Sequence, residues 1–259
     1  MTCLLLKKEL SVVSKTVAMK CCTISLLLLF SGFYSNAQRP QQTILKVLFV
    51  GNSLTYTNQL PELVKQLGEQ DGLEIKYTSL SFPNYALEDH WNAGKLQEEL
   101  DKEEYDLVIA QQGPSALPES QELLLEYCKK FRKLCEAKKT KLALYMVWPS
   151  RSRFFDLDNV IYSYTHAAKK TKSLLCPAGL AWKNAWALDS SLALYGPDNF
   201  HPGIDGSVLA ALTIYAAITG KQNFDFICYD KSSWHDVISA KQLDVLKQAA
   251  IKSLRVTVN

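Results

Sequence analysis

The stretch Ile44-Leu-Lys-Val-Leu-Phe-Val-Gly51-Asn52-Ser53 is a short apolar run that stops at a glycine and continues into polar residues. Its β-branched residues, its length and the terminating Gly51 predict a buried β-strand. Four more runs of this kind follow along the chain. They are Glu74–Leu80, Tyr105–Gln111, Lys141–Trp148 and Ser173–Cys176.

Segments with helical periodicity separate these strands. A helix over Leu60–Gln70 would place Leu63, Val64 and Leu67 on one face and end at Gly72. The other predicted helices are Trp91–Lys102, Gln121–Lys138, Asn159–Lys172, Ala181–Asp189, Ser207–Gly220 and Ala240–Leu254. This alternation predicts an α/β protein, a three-layer α/β/α sandwich around a mainly parallel, flavodoxin-like sheet of about five strands.

The N-terminal segment has the features of a secretory signal peptide. Lys20 precedes the apolar run Ile24–Phe30, and the small residues Ser35 and Ala37 stand before Gln38. The run is shorter than the roughly 20 residues that span a bilayer. We therefore expect cleavage between Ala37 and Gln38 and a secreted or periplasmic protein. A buried N-terminal helix or a membrane anchor is the alternative.

The domain organisation follows from the same segment. Met19 lies directly before the signal, so a second hypothesis is that translation begins there and that residues 1–18 are an upstream mis-start. Residues 38–259 contain no internal repeat and no Pro/Ser-rich linker. We expect them to form a single domain.

Charge argues against a nucleic-acid binder. The full chain has a formal net charge of +3. Residues 1–37 hold four of the basic and one of the acidic side chains, so the remaining chain carries 25 of each. A nucleic-acid partner would require a basic footprint. The lysines between Lys129 and Lys139 alternate with apolar residues, which favours the solvated face of a helix.

Four of the seven cysteines follow residue 37: Cys128, Cys135, Cys176 and Cys228. Cys128 and Cys135 would lie roughly 10 Å apart along one helix, too far to pair. Any disulfide must therefore use Cys176 or Cys228, and buried free thiols are the alternative.

No Cys or His pair has zinc-binding spacing, so we expect no metal.

Two polar elements could carry chemistry. Ser53 follows the first strand, where backbone N–H groups could hold a developing oxyanion. Asp198 and His201 lie three residues apart in a proline-rich loop. Such a carboxylate can fix the imidazole tautomer and leave the other nitrogen to accept a proton from a serine. A structural turn at Ser53 and a turn-capping role for Asp198 are the alternatives.

Together these elements resemble the SGNH (GDSL-type) hydrolase superfamily. Gly51-Asn52-Ser53-Leu54 is similar to that family's Gly-Asp-Ser-Leu block, with Asn in place of Asp. Asp198-Asn-Phe-His201-Pro202 matches its last block. The segment Tyr105–Ser115 is similar to its third block in shape. Trp148-Pro149 and the segment Pro177–Trp182 resemble a poorly characterised secreted bacterial branch.

The resemblance implies a catalytic triad of Ser53 as nucleophile, His201 as general base and Asp198 as its orienting carboxylate. The Ser53 N–H would be one oxyanion donor. Asn84 stands where the family has a glycine, and Asn tolerates left-handed backbone angles better than most residues. The family's third-block Asn is absent, so either Gln112, Gln111 or Ser115 supplies the last donor, or that donor is missing.

Other residues near the predicted strand ends could contact substrate. Candidates are Tyr85, His90, Gln111, Ser115 and Trp148. Tyr85, Trp91 and Trp148 could form an aromatic rim for a sugar, with ordinary packing as the alternative. His166 and His235 are predicted to have surface and packing roles.

The sequence thus predicts a secreted serine esterase that needs no metal or organic cofactor and hydrolyses small acyl esters, with acetyl groups on carbohydrates as the best candidate. The alternative is a catalytically weak carbohydrate-binding or cell-surface accessory protein on the same fold. A flavodoxin-like binder of a phosphorylated ligand is disfavoured, because no Gly-rich phosphate loop is present. No membrane span is expected after signal removal, and no feature specifies an oligomer.

Overall fold

Five parallel strands form the central sheet. The structure, a computed structural model, describes residues 44–255 of the 259-residue chain. Within them the sheet has the order β2-β1-β3-β4-β5, and every neighbouring pair is parallel. The strands are β1 (Ile44–Gly51), β2 (Glu74–Ser81), β3 (Leu107–Ala110), β4 (Lys141–Tyr145) and β5 (Leu174–Cys176).

Helices connect the strands and cover both faces of the sheet, which confirms the predicted three-layer α/β/α architecture. One group contains α5 in contact with α3 and α6, and another contains α8 in contact with α2 and α9. The α-helices are α1 (Ser53–Tyr56), α2 (Leu60–Asp71), α3 (Leu87–Asn92), α4 (Lys95–Lys102), α5 (Pro118–Ala137), α6 (Leu157–Thr171), α7 (Ala178–Leu188), α8 (Ile204–Thr219) and α9 (Ala240–Arg255).

The central strands are apolar on both faces because both faces are covered. Val47 to Val50 of β1 are fully buried, and all four residues of β3 are buried. Such continuous apolar runs are typical of parallel strands between two helical layers. The sheet therefore supplies a rigid base for the loops that leave its carboxyl edge.

The strand order creates a crevice at that edge. From β1 the chain moves outward to β2 and then crosses to β3 on the other side of β1. The loops that follow β1 and β3 therefore diverge, and ligands bind at such switch points in open α/β sheets. The register aligns Val50 with Ala110, so the loops beginning at Gly51 and Gln111 leave the sheet side by side.

Several element boundaries differ from the sequence prediction. The single predicted helix Trp91–Lys102 is two helices, because the chain turns at Gly94, whose φ is 72°. The third strand ends at Ala110 and the fourth at Tyr145, several residues early in the latter case. The neighbouring strand β5 has only three residues, and its last, Cys176, pairs with Tyr145. Apolar composition continues to Trp148, but the strand ladder does not.

Three further features concern the whole described region. Between residues 44 and 255 no helix is long and apolar enough to cross a bilayer. All four cysteines in this region are free thiols, three of them buried. The predicted signal peptide, residues 1–37, lies outside the described residues.

Candidate active site

Ser53 lies directly after the turn between the end of β1 and the short helix α1. Asn52 caps this helix, and its side-chain oxygen accepts a hydrogen bond from the Leu54 N–H at 3.0 Å. Ser53 is the first helical residue and is partly exposed. The first N–H groups of a helix have no intrahelical acceptor. Ser53 therefore lies at the carboxyl end of β1, and its N–H has no intrahelical acceptor.

Gln111 stabilises the turn at Asn52 through hydrogen bonds of its side chain. Its Oε1 accepts hydrogen bonds from the Asn52 N–H (2.9 Å) and the Thr55 hydroxyl (2.8 Å), and its Nε2 donates to the Gln112 carbonyl. Gln111 is fully buried. The sequence predicts a substrate contact at Gln111, but the polar atoms of this side chain are engaged by the protein. A Cβ at Gly51 would lie 2.5 Å from Gln111 Oε1, so this close approach requires glycine.

The loop after β2 lies against the same turn. Asn52 Nδ2 donates to the Tyr85 carbonyl at 2.9 Å, and the Phe82 N–H donates to the Gly51 carbonyl at 3.1 Å. Asn84 is exposed and has a φ of 60°, the left-handed conformation that its residue type allows. The Asn that replaces the family's Asp at position 52 thus tethers the loop that carries Asn84.

His90 lies beneath both loops. It is fully buried, so it does not line the cleft as the sequence analysis suggested. Its Nε2 contacts the Gly51 carbonyl at 2.8 Å, which fixes the tautomer with the proton on Nε2. Its ring packs against Phe82 and Tyr85. Burial lowers the pKa of His90 below its ordinary value, so the neutral form is favoured.

Asp198 and His201 form a hydrogen-bonded pair. His201 Nδ1 lies 2.5 Å from Asp198 Oδ2, while Asp198 Oδ1 accepts the N–H groups of Phe200 and His201 at 3.0 and 2.9 Å. These bonds, that from the imidazole first, lower the pKa of Asp198 to about 2. The carboxylate is therefore ionised at neutral pH, and Nδ1 carries a proton. In the neutral form of this imidazole, Nε2 is the ring nitrogen with the lone pair.

A buried tryptophan supports this loop. Trp148 Nε1 donates to the Phe200 carbonyl at 3.2 Å, and its ring stacks on Trp182 with centroids 3.7 Å apart. The Arg151 N–H also donates to the Asn199 carbonyl. Trp148 has no exposed surface. It therefore cannot belong to the aromatic rim that the sequence analysis proposed, and it positions the His201 loop instead.

Asn58 brings the serine and histidine segments together. Its Nδ2 donates to the Pro202 carbonyl and to the Ser207 hydroxyl, both at 2.9 Å. Asn58 lies five residues after Ser53, and Pro202 directly follows His201. Within residues 44–255 no hydrogen bond joins the Ser53 hydroxyl to His201 itself. Catalytic hydrogen bonds often tighten only once substrate is bound.

Comparison with known proteins shows which fold the chain has. No protein-family model and no curated protein matches the sequence. Solved structures do match. A Slackia heliotrinireducens protein assigned to the SGNH hydrolases is 22% identical, with a TM-score of 0.57 over 68% of this chain and 100% of that chain. The chain has the SGNH-hydrolase fold.

Two other structures show the same likeness. A DUF4886 family protein from Bacteroides uniformis is 19% identical, with a TM-score of 0.66 over 82% of this chain and 95% of its own. A psychrotrophic esterase from Pseudoalteromonas is 18% identical, with a TM-score of 0.52 over 68% and 97%. At these identities the likeness concerns the fold alone, and chemistry must be argued from the site.

The third block of the SGNH fold is where this chain departs from expectation. The amide hydrogens of Gln112 are directed to the Ser115 hydroxyl (3.0 Å) and the Ser120 carbonyl (3.4 Å), and its Oε1 accepts from the Leu87 N–H. Ser115 is buried, and its hydroxyl donates to the Gly113 carbonyl. Neither side chain has a free donor in this arrangement. A side-chain donor from Gln112 or Ser115 is therefore not supported by these contacts.

The sequence analysis missed two contributors. Asn58 and Arg151 tie neighbouring segments to the His201 loop, but neither belongs to a motif. The one available signal for Asn58 was a polar pair, Asn58-Gln59, directly before an amphipathic helix. In the region that the structure describes, no three His, Cys, Asp or Glu side chains gather as metal ligands would.

Proposed function

We propose that this protein is a serine esterase that hydrolyses small acyl esters through an acyl-enzyme on Ser53. The observation that carries the proposal is the Asp198–His201 pair on a loop that Asn58 ties to the segment beginning at Ser53. An ionised carboxylate, an oriented imidazole and a serine at a strand end are the parts of a nucleophilic triad.

In the proposed mechanism, His201 Nε2 takes the proton of the Ser53 hydroxyl as its oxygen attacks the ester carbonyl. The tetrahedral oxyanion accepts hydrogen bonds from the backbone N–H groups of Ser53 and Asn84. His201 then protonates the departing alcohol, and the acyl group stays on Ser53. Water, activated by the same imidazole, releases the acid and restores the serine.

Small acyl groups, acetyl above all, are the proposed acyl part, and a carbohydrate is the proposed alcohol. The resemblance to a secreted branch of SGNH hydrolases and the predicted signal peptide support this choice. Export would bring the protein to extracytoplasmic glycans. Processing of the precursor between Ala37 and Gln38, read by N-terminal sequencing of the exported protein, tests that part of the proposal.

The decisive experiment is labelling with a fluorophosphonate probe, followed by assay of an acyl ester series from acetyl to octanoyl. The Pseudoalteromonas esterase was solved in a form inhibited by monoethylphosphonate, which supports the choice of probe. We expect labelling that Ser53→Ala abolishes and His201→Ala weakens, and turnover of acetyl esters that Ser53→Ala removes. Folded protein that neither reacts with the probe nor hydrolyses any ester would contradict the proposal.

One observation favours a second candidate, a catalytically weak carbohydrate-binding protein on the same fold. The amides of Gln111 and Gln112 are both engaged within the protein, which leaves the oxyanion site without a side-chain donor. Loss of one such donor typically lowers turnover by about 10²–10³-fold. Binding of a glycan by probe-resistant, folded protein would support this candidate over the esterase.

A further inference from the structure

A cleft of about 310 Å³ lies beside the serine and histidine segments. Its walls come from the turn before α2, from the exposed side of α2, from the start of α8 and from the segment that precedes α9. The residues that line it are Asn58, Gln59, Glu62, Leu63, Gln66, Ile204, Ser233, Trp234 and Val237.

One wall of the cleft includes a contact between the turn after α1 and the loop that carries His201. Asn58 is part of its wall and also hydrogen-bonds to the Pro202 carbonyl. Ile204, another wall residue, lies three positions after His201. A group bound in the cleft would thus contact residues that lie five positions after Ser53 and three positions after His201.

The backbone at its upper wall is strained. Asn58 and Gln59 are consecutive non-glycine residues with positive φ, 52° and 55°. Such conformations are uncommon and cluster at functional sites, where the surrounding contacts hold them. The hydrogen bonds that Asn58 donates to the Pro202 carbonyl and to the Ser207 hydroxyl of α8 hold this turn. The Gln59 side chain is exposed and makes no hydrogen bond within residues 44–255. Its amide is therefore available to a ligand.

The lining of the cleft has one charged side chain, Glu62, and otherwise neutral polar groups that are partly open. Ser233 donates its hydroxyl proton to Gln66 Oε1 at 2.7 Å, which leaves the Gln66 amide hydrogens uncommitted. Glu62 is paired with Lys65 at 3.0 Å and accepts from the Tyr77 hydroxyl. The cleft therefore offers amide donors and acceptors without an unpaired charge.

Apolar surface lies opposite these amides. Val237 is 63% exposed, unusually so for a large aliphatic residue, and it lines the cleft together with Trp234. The indole N–H of Trp234 is buried and has no hydrogen-bond partner. A buried donor without a partner is rare and calls for an explanation.

We propose that this cleft is the alcohol-side subsite of the esterase and holds one neutral sugar ring. Ligand pockets range over about 300–1,000 Å³, and this cleft is at the small end, which suits a single ring. Amides facing an apolar wall match the hydroxyl edges and C–H faces of a pyranose. The absence of an unpaired cation in its lining disfavours an acidic sugar. This inference rests on the proposed function, since it assigns the alcohol part of the same ester.

The first test compares two acetyl esters, an acetylated methyl xylopyranoside and p-nitrophenyl acetate. The selectivity is the ratio of kcat/KM for the xyloside to kcat/KM for the phenyl ester. We expect it to fall about tenfold in Gln59→Ala and in Gln66→Ala. A tenfold change corresponds to the loss of about one hydrogen bond. Gln248→Ala, an exposed glutamine on α9, is the matched control and should keep the ratio. An unchanged ratio in both cleft variants would overturn the inference.

The second test does not depend on catalysis. Ser53→Ala protein is mixed with methyl xylopyranoside, and binding is followed by saturation-transfer NMR. We expect saturation transfer from the protein to the sugar ring. It should disappear in the double variant Ser53→Ala/Gln66→Ala. Without binding, the subsite is wrong, even if p-nitrophenyl acetate is hydrolysed. If binding occurs while neither ester is hydrolysed, the subsite stands and the esterase proposal fails.

Discussion

At the scale of single residues, the carboxylate of Asp198 has two separate tasks. One oxygen accepts the N–H groups of Phe200 and His201 and so shapes the loop, while the other accepts the proton-bearing Nδ1 of His201. The loop and the imidazole are therefore oriented by the same group. An amide at this position could keep the first task and would fail at the second.

Asp198→Asn separates these two tasks. The amide oxygen can still accept the backbone N–H groups, but the amide nitrogen that then faces Nδ1 is a donor and cannot accept the Nδ1 proton. We expect kcat for acetyl esters to fall by about 10²–10⁴-fold with little change in melting temperature. Asp198→Ala should lower both activity and melting temperature. Full activity of the Asn variant would contradict the role of Asp198 as the orienting carboxylate.

His90 gives a pH-dependent contribution to stability. Burial lowers its folded pKa below the ordinary 6.5, so as the pH falls the unfolded chain takes up a proton first. Protonation of the unfolded chain then favours unfolding. The free energy of unfolding should fall below about pH 6.5, by at most about 1.4 kcal/mol per pH unit from this group. Urea unfolding at pH 7.5 and pH 5 measures the loss.

The matched variants are His90→Gln and His166→Gln. Glutamine at position 90 retains an N–H that can reach the Gly51 carbonyl but does not titrate, so it should reduce the loss of stability between the two pH values. His166, half-exposed on α6, should not matter in this way. Equal pH dependence in wild type and His90→Gln would show that His90 is not the source.

At the scale of elements, helix α8 fixes the loop that carries His201. It begins at Ile204, directly after the loop, and approaches the preceding chain very closely at Gly206. A Cβ at this position would lie 2.2 Å from the Leu194 carbonyl oxygen and 2.6 Å from a ring carbon of Trp182. The spacing between α8, α7 and the loop therefore depends on one missing side chain.

Gly206→Ala should destabilise the protein in spite of the higher helix propensity of alanine. The backbone carbonyl cannot rotate away as a flexible side chain would, so α8 must shift, at a cost of about 1–3 kcal/mol. Denaturant unfolding measures this cost. Gly113→Ala is the control, because a Cβ there would meet no atom within 4 Å. If Gly206→Ala were as stable as wild type, α8 would pack less tightly than the structure shows.

Elements with strong periodicity were predictable from the sequence, and their exact ends were not. The amphipathic pattern of α2 and the apolar runs of β1 and β3 specify their own structure. The early end of β4 depends on the length of β5, a distant segment that composition does not reveal. The burial of Trp148 could not be predicted for the same reason, since its partners Phe200 and Trp182 lie far away in sequence. His90 is buried by contacts of both kinds, with the distant Gly51 and with Phe82 and Tyr85 nearby.

At the scale of the whole molecule, the sheet order determines where the site lies. Segments from widely separated parts of the chain reach one crevice because β1 and β3 are neighbours and their following loops diverge. The buried central strands hold the starting points of these loops, and contacts such as those of Asn58 and Trp148 then hold the loops themselves. The solvent accessibility of the core around the sheet can be tested through the cysteines, because two of them lie on α5 and one ends β5.

The chain after residue 37 should react as a protein with a single accessible thiol. Cys128, Cys135 and Cys176 are buried, and burial raises the pKa of Cys135 and of Cys176 to about 12 and that of Cys128 further, so their reactive thiolates are scarce at pH 8. Cys228 is exposed.

We expect a disulfide reagent such as DTNB to titrate one thiol in the native protein and all four in urea. Cys228→Ser should remove the native reaction entirely. Rapid reaction of a second thiol in folded protein would contradict the tightly covered sheet, and fewer than four thiols in urea without reductant would show a disulfide that the structure lacks.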